Sequence, residues 1–60
     1  MDHPTERIIR LPEVKSRTGL SRSSIYAKVA AGRFPPPRKL GAKMVGWYET
    51  QVAVWIADPR

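Results

Sequence analysis

Cysteine is absent from all 60 residues, which removes disulfides and thiolate metal sites at once. Histidine occurs once, as His3, so no imidazole cluster can hold a metal and no histidine sits beside a nucleophile. Acids are scarce, five against eleven Lys and Arg, for a formal charge of +6. No long apolar run exists either. The longest, residues 52–57, is six residues, against about 20 needed to cross a bilayer. The opening Met-Asp-His-Pro-Thr-Glu has neither the cationic start nor the apolar stretch of a signal peptide. These absences predict a cytoplasmic protein, bound neither to a membrane nor to a small-molecule substrate, with residues 1–6 as a disordered leader. Tyr26 or Tyr48 as a nucleophile would need activating partners that the chain lacks. No catalytic set, cofactor or metal is expected, and the protein reads as a non-enzyme.

What the chain does have is concentrated charge. Residues 7–43 hold ten Lys or Arg and one acid, Glu13, a formal +9, while the flanking segments are net negative. A small domain that gathers cations in this way repels itself and gains from meeting a polyanion. Sixty residues make one domain close to the lower limit for folding without a staple, burying only about 60% of the unfolded surface. The large apolar residues expected to supply its core are Ile8, Leu11, Val14, Leu20, Ile25, Val29, Phe34, Leu40, Val45, Trp47, Val52, Trp55 and Ile56.

Residues 7–10 read as a short strand. Pro12 then suits the first turn of a helix, where its missing N–H would be unpaired anyway, and Glu13 favours the positive end of the dipole. Gly19 stops that helix in the left-handed conformation. Ser21 is an N-cap for a second helix over residues 22–31, with Ile25 and Val29 facing inward and Gly32 ending it. Pro35, Pro36 and Pro37 exclude helix and central strand alike and form a stiff strut. Two β-like pieces, residues 38–40 and 44–48, flank a Gly-containing link that fits a hairpin. Glu49 and Thr50 open a last helix, with Val52, Trp55 and Ile56 as its buried face, and Asp58-Pro59 closes it. The fold class is small α+β: a winged helix-turn-helix with three helices and a short β-hairpin wing, spanning residues 7–57, with residues 58–60 as a tail.

In such a fold the second helix lies in the major groove with its N-terminal residues nearest the base edges. The expected contacts are Ser21, Arg22, Ser23 and Ser24, then Tyr26, Ala27 and Lys28 one turn on. Serine hydroxyls can donate or accept to several bases, and arginine can pair bidentately with guanine. The blander role of Ser23 and Ser24 is secondary capping, and that of Lys28 is a solvated helix residue. Arg38, Lys39 and Lys43 sit on the wing, where they could straddle a phosphate ridge or enter the minor groove, or simply protect an edge strand from pairing. Arg17 and Arg33, near the two helix C-termini, are expected phosphate contacts. Trp47 and Trp55 are assigned to the core rather than to single-strand stacking.

The run Thr18-Gly-Leu-Ser-Arg-Ser-Ser-Ile-Tyr26, then Gly32-Arg-Phe-Pro35, Leu40-Gly41 and Val45-Gly-Trp47, and finally Glu49 to Ile56, resembles the AlpA family of prophage regulators. The phenylalanine and three prolines at 34–37, with the basic hairpin and acidic helix start, also look like lambda-type excisionases and, more distantly, the MerR DNA-binding domain. The resemblance implies a phage, prophage or integrative-element protein in the bacterial cytoplasm and nucleoid. It would bind double-stranded DNA near an attachment site or integrase promoter, as excisionase, transcriptional regulator or both. The small footprint of one helix and one wing adds the expectation of side-by-side binding on repeated sites. Integrase and further copies of itself are the implied partners. The chain departs from the family pattern at Ala27 and Ala42, so the DNA sequence recognised does not carry over. A promoter-only regulator is the close alternative, a basic protein-interaction adaptor the distant one, and RNA binding is disfavoured because the aromatics are expected to be buried.

Overall fold

The computed structural model describes residues 7–60; the expected leader, residues 1–6, lies outside them. Strand β1 (Ile8–Ile9) leads into helix α1 (Leu11–Thr18), helix α2 (Arg22–Ala30), strand β2 (Arg38–Lys39), strand β3 (Val45–Tyr48) and helix α3 (Glu49–Ala57). The three strands form one antiparallel sheet in the order β1-β3-β2. This is the small α+β, three-helix architecture with a hairpin wing that the sequence predicts.

The helix boundaries follow local chemistry. Gly19 ends α1 at φ 73°, its N–H donating to the Lys15 carbonyl at 2.8 Å. Thr18 folds its hydroxyl back onto the Val14 carbonyl (2.8 Å) and accepts from the Leu20 N–H (3.2 Å), which fixes the turn between the helices. Ser21 caps α2 by accepting from the Ser24 N–H at 3.2 Å. At the other end Gly32, also at φ 73°, donates to Val29, and Arg33 donates to Lys28. That paired closure requires a left-handed residue at the glycine position.

Ile9, Val14, Ile25, Phe34, Trp47 and Val52 are buried, drawing one side chain or more from every element except β2 and including Phe34 from the loop. Leu11, Leu20, Tyr26, Val29, Val45 and Trp55 pack around them. Three expected core residues lie elsewhere: Ile8 is 41% exposed, Ile56 40% and Leu40 38%. Strand alternation explains the first. Ile9 pairs with buried Trp47, so Ile8, opposite Tyr48, must take the other face. Leu40, beyond β2, lies over Gly46 on that same outer face. The inward stripe of α3 centres on Val52 and Trp55, leaving Ile56 at its margin.

Candidate nucleic-acid interface

On a helix, Ile25 and Val29 define the inward side of α2, and the residues opposite them are Ser23, Ala27, Ala30 and Ala31. All four are exposed. Their side chains are small, so the α2 backbone can come close to whatever it meets. Arg22 and Tyr26 flank this stripe, with the Arg22 guanidinium 5.7 Å from the Tyr26 ring centroid. Tyr26 itself is half-buried, its ring edge-on to Trp47 at 6.1 Å.

The remaining α2 candidates are differently occupied. Ser21 and Ser24 bond to each other through their hydroxyls at 3.1 Å, on top of the Ser21 cap. Lys28 leaves the outward stripe: its Nζ donates to the Arg60 carbonyl at 2.8 Å and lies 5.9 Å from the Trp55 ring centroid. Thus the structure gathers Arg22, Ser23, Tyr26 and Ala27 on and beside the exposed face, and turns Lys28 toward α3.

The wing follows from the proline strut. Trp47 donates its indole N–H to the Pro35 carbonyl and Trp55 donates to the Arg33 carbonyl, both at 2.8 Å. Phe34 is edge-on to both indoles, at 6.4 Å from Trp47 and 5.0 Å from Trp55. Segment 33–35 is therefore tethered on each side, which fixes where β2 begins. Arg38 pairs with Gly46 and Lys39 with Val45, and the Leu40 N–H donates to the Met44 carbonyl at 2.8 Å. Arg38 rests over the Tyr48 ring at 5.4 Å, and Lys39 and Lys43 are exposed.

Electrostatics separate these cations into two groups. Among the described residues the ion pairs are Arg7 with Glu49 (3.3 Å), Arg17 with Glu49 (2.9 Å) and Arg17 with Glu13. The Glu13 hydrogen bond, then that of Glu49, pushes the Arg17 guanidinium above its ordinary range, so it stays charged at any working pH. Arg17 is a clamp between α1 and the start of α3, with its charge already answered by two carboxylates. Arg22, Arg33, Arg38, Lys39 and Lys43 have no carboxylate partner among the described residues.

Arg10 was missed by the sequence reading. Its Nε donates to the Val45 carbonyl at 3.1 Å, and it has no acid partner among the described residues. Once Trp47 is placed inward, strand alternation alone puts Arg10 with Ile8 on the outer face. Among the described residues no three His, Asp or Glu side chains gather, and no helix is long and apolar enough to cross a membrane.

Two helices joined by a tight glycine turn, with a basic hairpin after the second, define the winged helix-turn-helix class. Within that class the chain belongs to the family of the prophage CP4-57 regulatory protein (AlpA), which matches residues 7–60. It is similar to the uncharacterized protein ORF88 of Enterobacteria phage P4, 46% identical over 56 residues covering 93% of this chain. The chain spans 64% of that relative's length. It is also similar to the DNA-binding transcriptional activator AlpA of Escherichia coli K12, 39% identical over 58 residues, or 87% of this chain and 83% of the relative. No solved structure matches it significantly.

Proposed function

We propose that this protein is a double-stranded DNA-binding regulator of a prophage, phage or integrative element, with residues 7–57 as one DNA-binding unit. The observation that carries this reading is the division of charge. Arg7 and Arg17 use up Glu13 and Glu49, so Arg22, Arg33, Arg38, Lys39 and Lys43 stay exposed with no carboxylate partner among the described residues. The exposed small side chains of α2 let its backbone enter a major groove about 12 Å wide. There Ser23 and Ala27 meet base edges, with Arg22 and Tyr26 at the rim. Arg38, Lys39 and Lys43 meet phosphates flanking the adjacent minor groove, and Arg33 contacts phosphate at the end of α2. Arg17 and Ser21 act on the fold rather than on DNA, and Lys28 and Ser24 are peripheral. The Escherichia coli relative, named a DNA-binding transcriptional activator, agrees with this assignment.

One helix and one wing give a small footprint, and high specificity then calls for several copies side by side on repeated sites. Bending 20–30 bp costs on the order of 1–6 kcal/mol, which added protein contacts can offset. On this basis the protein serves as an excisionase, a promoter regulator or both, in the bacterial cytoplasm. Footprinting on DNA flanking its own gene tests the reading: repeated protected sites are expected, and no protection of any duplex at low salt would leave the protein-adaptor alternative in its place. Excision assays with the cognate integrase divide the two regulatory roles. Altered transcription with unchanged excision would favour the promoter-only regulator.

A further inference from the structure

The outer face of the sheet bears large apolar side chains that the core does not use. Strand pairing puts Ile8, Arg38, Gly46 and Tyr48 on that side. Leu40 lies beside Gly46, and the same alternation carries Arg10 and Met44 there just beyond the paired residues. Ile8, Leu40 and Met44 are 41%, 38% and 44% exposed. Gly46 makes this possible: a Cβ there would lie 2.5 Å from Ile8 Cγ2 and 3.0 Å from Leu40 Cδ1, so both side chains lie flat across it. Leu40 and Met44 are joined across the hairpin by a backbone hydrogen bond of 2.8 Å.

The surroundings of this pair are cationic. Lys43 immediately precedes Met44 at the hairpin tip, while Lys39, opposite the inward Val45, leaves the strand on the other face. Arg38 and Arg10 lie on the same face, and no acid pairs with any of the four among the described residues. An apolar strip bracketed by unpaired cations matches one surface in particular. The walls of the DNA minor groove are deoxyribose C–H groups, with a phosphate row on either side.

We infer that Leu40 and Met44 form an apolar contact with the sugar walls of the minor groove, while Arg38 and Lys43 hold the flanking phosphates. This deepens the DNA-binding reading and rests on it. Apolar side chains at a minor groove have precedent as a physical device, since they gain area that water otherwise covers. They also release no counterions, which gives them a distinct signature.

The test measures duplex affinity against salt concentration for the native chain, Met44→Ser, Leu40→Ser, Met44→Leu and Lys43→Ala. Met44→Ser and Leu40→Ser should each weaken binding by about tenfold with the salt slope unchanged, and Met44→Leu should retain native affinity. Lys43→Ala should instead lower the slope by about 0.9. A small minor-groove-binding compound should weaken the native chain and leave Met44→Ser nearly unaffected. Should Leu40→Ser fail to fold, Met44→Ser and the groove-competition measurement carry the decision. Native affinity in the serine variants, or no competition by the groove ligand, overturns the inference alone and assigns this face to a protein partner. Failure of the native chain to bind any duplex overturns the DNA reading, and this contact with it.

Discussion

The indole nitrogen of Trp47 donates to the carbonyl oxygen of Pro35 at 2.8 Å. The central strand thereby holds the start of the triple proline, and the angle between α2 and the wing is set from inside the core. Trp47→Phe keeps a ring in place but leaves that carbonyl without its donor. Loss of stability by about 1–3 kcal/mol is expected, or roughly 4–8 °C in Tm for each kcal/mol in a domain of this size. Urea and thermal unfolding followed by circular dichroism measure it.

Glycine at position 46 is required for packing, whereas Gly41 at the wing tip has nothing within 4 Å of a would-be Cβ. Gly46→Ala must displace Ile8 and Leu40 and approach the Ile9 carbonyl at 3.1 Å, costing about 1–3 kcal/mol as other overpacked sites do. Gly41→Ala should stay within about 0.5 kcal/mol of the native chain. Equal midpoints for the two variants in chemical denaturation would contradict the packing of the outer face.

The serines at the start of α2 separate capping from recognition. Ser21→Ala removes the acceptor for the Ser24 N–H and should cost about 1 kcal/mol of stability. Ser23 is exposed and makes no such bond. Ser23→Ala should leave the Tm unchanged while altering sequence preference in a selection from random duplexes. The reverse pattern would exchange their roles.

Arg17 and Lys43 are both cations of the basic segment, yet their substitution should read out differently. Arg17→Gln breaks the link from Glu13 to Glu49. It should lower the Tm and leave the salt slope of DNA binding unaltered. Lys43→Ala should leave the Tm unaltered and remove about 0.9 from that slope. An Arg17→Gln slope as low as that of Lys43→Ala would restore Arg17 as a phosphate contact.

The helices were legible in the sequence because their ends carry strong local signals. Pro12, Gly19, Ser21 and Gly32 each act within a few residues of themselves, and the structure places them at the boundaries expected. The inward sides of Ile25, Val52 and Trp47 were equally readable from spacing. The strand edges were less so, because a two-residue strand has no periodicity of its own. Whether Ile8 or Ile9 points inward depends on a partner, Trp47, that the local sequence does not contain. Partnership of the charges was legible only in part. Glu13 and Arg17, four apart on α1, can pair within the helix, but only folding brings Glu49 to Arg17 and leaves Lys43 without an acid among the described residues. Similarly, Lys28 shares a helix face with Ser24 by spacing, but the packing of Trp55 beneath it draws its ammonium away.

Position 46 ties together two parts of the chain that are distant in sequence. A lineage in which that glycine acquired a side chain would first have to trim the isoleucine at position 8, whose methyl stands in its place. Shrinking residue 8 beforehand opens no sealed void, since its side chain already meets solvent, so the two changes have a required order.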